Sequence, residues 1–375
     1  MARIHWFLCL AACLVALLPP TSAVLITDIF AVQGGNSNGG CDGRIPMLNN
    51  WRQECEVSLK KALEAIGLYT ETKQGDPNAL SSRASMVQDA MKNWFGVKLN
   101  SKPRQGKTLP DTVETIQQEI QWIQDFFTLK QTSGGSPLYP PSEFWLHCHS
   151  TFLSLKDPAG VAQAYDGTDI KDDKGNDVPI SAVPEYANRL KREKGIKPWW
   201  GGDHTTLRGY YFDDEGADYC VGTNLGLTAA IQPFRRGADG KAQAGDELAS
   251  VILCPYSMDT SPRPNSYREA SNLLQVGTNL AEAVPKSATL LHEMFHALRG
   301  DDYWSGRVER VDLGQCINWT AGNKRKNPEN YVFFIAHMTH LFGVDDGNQP
   351  WSIPNNWDFA IRQDNRIVGA KQPLP

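Results

Sequence analysis

The chain has 375 residues, 41% of them hydrophobic, and a formal net charge of −5, which is enough apolar material for one large or two modest cored domains. Mild acidity without a basic block argues against nucleic acid or an anionic membrane as partner. Beyond the first residues, no stretch approaches the ~20 apolar residues needed to cross a bilayer.

Arg3, the apolar run Trp6 to Leu18 and then Pro19-Pro20-Thr21-Ser22-Ala23 read as charged region, hydrophobic region and small-residue cleavage site. This predicts a secretory signal peptide over residues 1–23 and an extracellular mature protein. Loss of Arg3 takes the formal charge from −5 to −6. Cys9 and Cys13 leave with the signal, so six of the eight cysteines remain: Cys41, Cys55, Cys148, Cys220, Cys254 and Cys316. An even number in an oxidising compartment predicts disulfides. The favoured bridge is Cys220 to Cys254, because the segment between them reads as strand, loop, strand. Asn318-Trp319-Thr320 is a glycosylation sequon and predicts exposure there.

In chain order, Val24 to Val32 predicts a strand, and Gly34 to Gly40 a turn that lacks the Lys-Ser/Thr ending of a phosphate-binding loop. Trp51 to Leu68, Ser81 to Phe95 and Asp111 to Leu129 carry helical periodicity, the last through Val113, Ile116, Ile120, Ile123, Phe126 and Phe127. Phe144 to Cys148 predicts a buried strand. His147 and His149, which flank Cys148, read as core and surface histidines rather than as metal ligands. Asp157 to Asp203 is polar and predicts an inserted loop region with a helix near Pro184 to Lys194. Asp213-Asp214-Glu215 lacks the spacing of a calcium loop. Thr223 to Gln232 and Ala249 to Pro255 predict strands, and Asn330 to Gly343 an apolar helix whose His337 and His340 read as packing residues. The tail beyond it carries little signal.

The chemistry concentrates in His292-Glu293-Met294-Phe295-His296. On a helix, H-E-x-x-H places two imidazoles one turn apart on one face, with a carboxylate about 100° round the axis, the arrangement of zinc hydrolases. Ser287 is a candidate N-cap; Leu291, Met294, Phe295 and Leu298 form an apolar stripe; Gly300 stops the helix. The expected metal ligands are His292 and His296, with Glu293 as general base. Catalytic zinc takes three protein ligands and keeps a fourth position open. The candidates for the third are Asp301, Asp302 and Asp312, with Asp302 preferred because the chain can turn back beneath the metal just after Gly300.

At this point the sequence resembles the aspzincins, the secreted fungal deuterolysin and lysine-specific metalloendopeptidase group. Gly300-Asp301-Asp302-Tyr303-Trp304-Ser305-Gly306 lies on the family's G-T-x-D-x-x-Y-G, Leu313-Gly314 on its Leu-Ala pair, and Asn327-Pro328-Glu329-Asn330-Tyr331 on its Asn-Ala-Asp segment. Upstream, Asn93-Trp94-Phe95-Gly96 and Ile252-Leu253-Cys254-Pro255 are similar to further family segments. The resemblance implies a zincin-like α+β fold, Asp302 as third ligand and peptide-bond hydrolysis. The family's oxyanion-stabilising tyrosine falls on Ser305, which leaves Tyr303 to substitute. Of the two acids that line the lysine pocket in lysine-specific members, the first position is Glu329 and the second is Val332, so strict lysine specificity is not expected. In a zincin, the strand just upstream of the active helix can pair with an extended peptide.

The expectation is therefore a disulfide-stapled, monomeric, secreted zinc endopeptidase acting on protein or peptide substrates. After the signal, residues 24–200 form its helix-rich N-terminal part with a polar insertion and residues 201–375 its catalytic part. The alternative is a secreted binding protein on the same scaffold that has lost activity. A disulfide-stapled structural or carbohydrate-binding protein, suggested by the many tryptophans, is a third reading.

Overall fold

The computed structural model describes residues 23–99, 101–237, 241–300, 309–353, 356–361 and 367–371. The signal-peptide segment, up to residue 22, lies outside them. The fold is mixed α+β and centres on a four-stranded sheet. Its strands are β1 (Ala31–Val32), β2 (Phe144–His147), β3 (Gly226–Ile231) and β4 (Leu248–Leu253), in the order β1-β2-β4-β3. The first three in that order run parallel, and β3 closes the edge antiparallel to β4, with Leu248 opposite Ile231 and Leu253 opposite Gly226. Strands thus come from both halves of the chain.

Helices cover one face of this sheet. They are α1 (Ile45–Gly67), α2 (Ser82–Phe95), α3 (Asp111–Phe127), α4 (Ala288–Arg299), α5 (Leu313–Asn318) and α6 (Pro328–Phe342). The bounds of α2, α3 and α6 lie close to the expected ones, whereas α1 begins at Ile45, ahead of the expected Trp51, and α5 has no counterpart among the expected helices. Ser81 caps α2 by accepting from the Ala84 N–H at 3.1 Å. α6 is buried on all sides from Pro328 to Leu341, packs against α1, α2 and α4, and forms the axis of the main core. α4 lies between that core and strands β3 and β4.

Three segments differ from expectation. Only Ala31–Val32 is a strand in the first segment, which opens instead with a helical turn, Ile26–Ile29. There the Asp28 carboxylate accepts from the Leu25 N–H at 2.7 Å and Asn49 accepts from the Ile26 N–H at 2.8 Å. Side chains thereby satisfy backbone groups that a ladder would otherwise have taken. The polar insertion is a folded lobe, in which nested bridges join Val161 to Pro179 and Lys171 to Asp177, and Lys197–Trp200 pairs with both Ser154–Leu155 and Tyr210–Asp213. It has an apolar cluster of its own around Ile170, Tyr186, Phe212 and Phe234. Its strands are too short to display a period. The tail forms a hairpin, Trp357–Ile361 with Ile367–Lys371, docked on α6 where His337 Nε2 meets Asp358 Oδ1 at 2.8 Å. His340 Nε2 lies 3.0 Å from the Ala283 carbonyl, so both helix histidines are committed to packing.

Two disulfides tie the sheet. Cys220–Cys254 forms as expected, and Cys41–Cys148 joins the loop after β1 to the end of β2. Loops of 34 and 107 residues imply roughly 4 and 5 kcal/mol of stabilisation through the unfolded chain. Cys55 and Cys316 are buried thiols. Asn318 of the sequon is exposed. Among the described residues, no helix is long and apolar enough to cross a membrane.

Candidate metal centre

α4 carries the motif as the spacing predicts. Leu290, Leu291, Met294 and Phe295 are buried in the main core, and His292 and His296 project from the other side with ring centroids 5.3 Å apart. The stop is also as predicted: Gly300 adopts φ +70°, a conformation that side chains disfavour, and its N–H returns to the His296 carbonyl at 2.8 Å. The start is not. Ser287 has helical dihedrals and makes no cap bond. Its hydroxyl faces the buried Glu54 carboxyl of α1, whose pKa burial pushes up to about 8. Tertiary packing thus replaces a local cap. At the other end Arg299 pairs with buried Glu119 at 3.2 Å and stacks over Trp122, fixing α4 to α3.

The third acid brought to the two histidines is Glu309. Its Oε1 lies 3.3 Å from His292 Nε2 and 3.5 Å from His296 Nε2, and the three candidate ligand atoms all fall within 4.8 Å of one another. Tetrahedral coordination with bonds of about 2.0–2.1 Å separates ligand atoms by about 3.3 Å, so this spacing suits a metal ion. Glu309 Oε1 is moreover buried without a hydrogen bond, a costly arrangement unless a cation meets it. The residues present therefore fit a bound ion. Among the described residues this is the one cluster of three that does.

Asp301, Asp302 and Tyr303, and Ser305 with them, lie outside the described residues. Asp312, the other candidate, is committed elsewhere: it caps α5, its carboxylate accepting from the Gln315 N–H at 3.0 Å. Glu309 had no local signal in the sequence, because it sits in a loop and obeys no period. Its position depends on distant residues. Asn327, fully buried before α6, accepts from the Arg310 N–H at 3.2 Å and donates back to the Arg310 carbonyl at 2.9 Å. Cys316 Sγ also approaches that carbonyl at 3.1 Å, and Asn330 ties the same cluster to the Trp94 carbonyl at 2.8 Å. The residue beside Glu309 is clamped as if in a ladder.

Around the three ligands, His292 Nδ1 is 2.8 Å from Glu329 Oε2, which fixes the ring and turns Nε2 toward Glu309. Burial opposes charge on His292, but Glu309 and Glu329 outweigh it and hold the imidazolium well above its ordinary range. Burial likewise opposes charge on Glu309, and His292 and His296 overcome it, leaving the carboxyl well below its usual range. Protons and a metal ion compete for this set. Glu293 is buried beside it, its Oε2 3.0 Å from Thr228 Oγ1 of β3. Burial raises its pKa against the pull of both histidines. β3 passes close here because Gly226 has no side chain; a Cβ there would stand 2.9 Å from Glu293 Oε1.

These groups line a cleft of about 430 Å³ bounded by residues 223–228 at the start of β3, Tyr219, Arg263 and Val311. The Tyr219 hydroxyl donates to the Gly226 carbonyl at 2.9 Å. Of the two positions that the lysine-pocket comparison singled out, Glu329 lines this cleft but is engaged by His292, and Val332 is buried in the core. Comparison with family models, with curated proteins and with solved structures returned no match.

Proposed function

We propose that this chain is a secreted zinc-dependent endopeptidase of zincin type, with His292, His296 and Glu309 as the metal ligands and Glu293 as the general base. The observation that carries the proposal is the meeting of two helix imidazoles, an unbonded buried carboxylate oxygen and a second, non-ligating carboxylate in one cleft beside an edge strand. The donor set, two nitrogens and one oxygen, suits zinc and leaves a fourth position open. Zinc held there supplies a Lewis acid that polarises the scissile carbonyl and makes water acidic enough to attack near neutral pH.

The chain's own residues perform the rest. Glu293 takes the proton of the attacking water and passes it to the departing amine. Thr228 aims that carboxylate, and Gly226 leaves room for it. Glu329 keeps His292 in the tautomer that presents Nε2. β3, the edge strand beside the cleft, offers main-chain groups to an extended peptide. Two disulfides agree with an oxidising compartment. The likeness to the aspzincins enters this proposal through the H-E-x-x-H helix; the third ligand proposed here is Glu309, whereas the Asp302 that the likeness implies lies outside the described residues.

Glu293→Gln tests the assignment, because it keeps size and hydrogen bonding but removes the proton acceptor. Zinc content should be unchanged, and cleavage of an unfolded polypeptide should fall by at least the ~10²–10⁴-fold that general-base help provides. Equal cleavage by parent and variant would remove Glu293 from the mechanism. A zinc-loaded parent that cleaves nothing would favour a binding protein on the same scaffold.

A further inference from the structure

Among the described residues lining the cleft, Arg263 is the one cation apart from the two imidazoles. Its side chain is 23% exposed, and its one ionic partner among the described residues is Glu329 Oε1 at 3.7 Å, beyond hydrogen-bonding reach. Glu329 is committed through its other oxygen to His292. Glu269, across the neighbouring loop, is engaged by Asn265 at 2.8 Å. The guanidinium is therefore held near a carboxylate without being consumed by it, on a residue that lines the cleft.

The backbone keeps it there. Arg263 stands between Pro262 and Pro264, so its own conformation is restricted as a residue before proline and the next is fixed by the ring. The loop is pinned on both sides: the Ser261 N–H donates to the Tyr256 carbonyl at 2.8 Å, and the Lys286 N–H to the Pro264 carbonyl at 2.9 Å. Buried Lys286 also reaches Asn265 Oδ1 at 3.0 Å. With the loop fixed, only the side chain's own rotamers remain to be ordered when it binds.

We infer that Arg263 recognises a carboxylate on the substrate, next to the bond cleaved, and so makes this a site for peptides that carry negative charge there. This deepens the peptidase proposal and rests on it. The planar fork of a guanidinium matches a carboxylate through two parallel hydrogen bonds, which a backbone carbonyl cannot accept in the same way. An acidic side chain and a free C-terminus present the same group. The rest of the cleft argues in the same direction, because, of the acids that would attract a basic residue, Glu309 is assigned to the metal and Glu329 is engaged by His292.

The test uses the zinc-loaded protein and short peptide hydroxamates, which need the metal to bind but no catalysis. One pair differs by glutamyl against glutaminyl beside the hydroxamate, the other by a free C-terminus against its amide. The parent should bind the charged member of one pair about 10–100-fold more tightly than its neutral partner, the worth of a charge-assisted hydrogen bond, and the pair that discriminates identifies the source. Arg263→Gln should abolish that preference while leaving zinc content and the neutral affinities unchanged. Arg263→Glu should reverse it toward a lysyl hydroxamate. A parent that treats both pairs alike, or binds no hydroxamate, overturns the inference. So does a variant that weakens charged and neutral members equally, which would make Arg263 only a support for Glu329. Preference without any cleavage would refute the peptidase proposal and keep Arg263 only as a carboxylate-binding residue beside the metal.

Discussion

The two halves of the candidate metal centre are built in opposite ways. His292, Glu293 and His296 are set by one helix, so their relation is local and survives as long as α4 does. Glu309 stands on a loop, and its relation to them is set by α6, α5 and α2 acting through Asn327, Cys316 and Asn330. The helix half costs little to organise beyond folding α4. The loop half needs a buried amide network whose every member must be satisfied. A site assembled in this way is complete only when the whole core has formed, which couples metal affinity to global stability.

Removing a ligand from either half should have the largest effect. His292→Ala, His296→Ala and Glu309→Gln should each abolish stoichiometric zinc binding, measured by metal analysis after gel filtration, because a three-ligand set becomes two. If Glu309→Gln kept its zinc while Asp302→Asn lost it, the aspartate expected from sequence would be the ligand after all.

Next comes the anchor of the helix half. Glu54 titrates near 8 in the folded chain against an ordinary 4.5, raised by burial, with Ser287 and the Tyr267 N–H opposing. The folded state therefore binds the proton more tightly, so its stabilising contribution is full below 4.5 and is lost as pH rises to about 8. At 1.36 kcal/mol per unit the change is on the order of a few kcal/mol. Glu54→Gln mimics the neutral carboxyl and should flatten that decline in denaturant titrations between pH 5 and 8. An unchanged slope would show that other groups set the pH dependence.

The loop half should yield by a smaller amount. Asn327→Ala removes both bonds to Arg310 and leaves Glu309 able to wander. Zinc affinity should fall by the ~10–100-fold typical of losing a supporting partner. A chelator competition assay reads this, with Glu293→Gln as a control that leaves affinity alone.

The same contrast explains what was legible in the sequence. The motif helix, its apolar stripe, the stop at Gly300, the long helices and the Cys220–Cys254 bridge all follow from periodicity or from neighbours in the chain. Ser287 was misjudged because Glu54, more than 200 positions away, meets its hydroxyl. The polar insertion reads as loop because its strands are two to four residues long. Glu309 was missed because nothing within several residues of it hints at Asn327. An even number of cysteines predicts disulfides, yet Cys55 and Cys316 lie as buried thiols, with Cys316 turned to the Arg310 carbonyl.

The smallest effect discriminates most sharply between the two acids of this loop. Asp312 and Glu309 are three residues apart, and by composition either could complete the site. Asp312 accepts from the Gln315 N–H and opens α5, so its carboxylate is taken up by the helix start, and it is not in the cluster with the two imidazoles. Asp312→Ala should therefore cost about 1 kcal/mol of stability, the worth of a helix cap, and leave zinc affinity within a few-fold of the parent. Asp312→Asn or Asp312→Ser should restore most of that stability, since either side chain can cap. If Asp312→Ala instead lost zinc as Glu309→Gln does, the cap geometry would be irrelevant and the loop would have to place Asp312 on the metal. Calorimetric unfolding combined with chelator competition on these variants separates a capping residue from a ligand, because only a ligand lowers metal affinity in a way that a capping substitute cannot rescue.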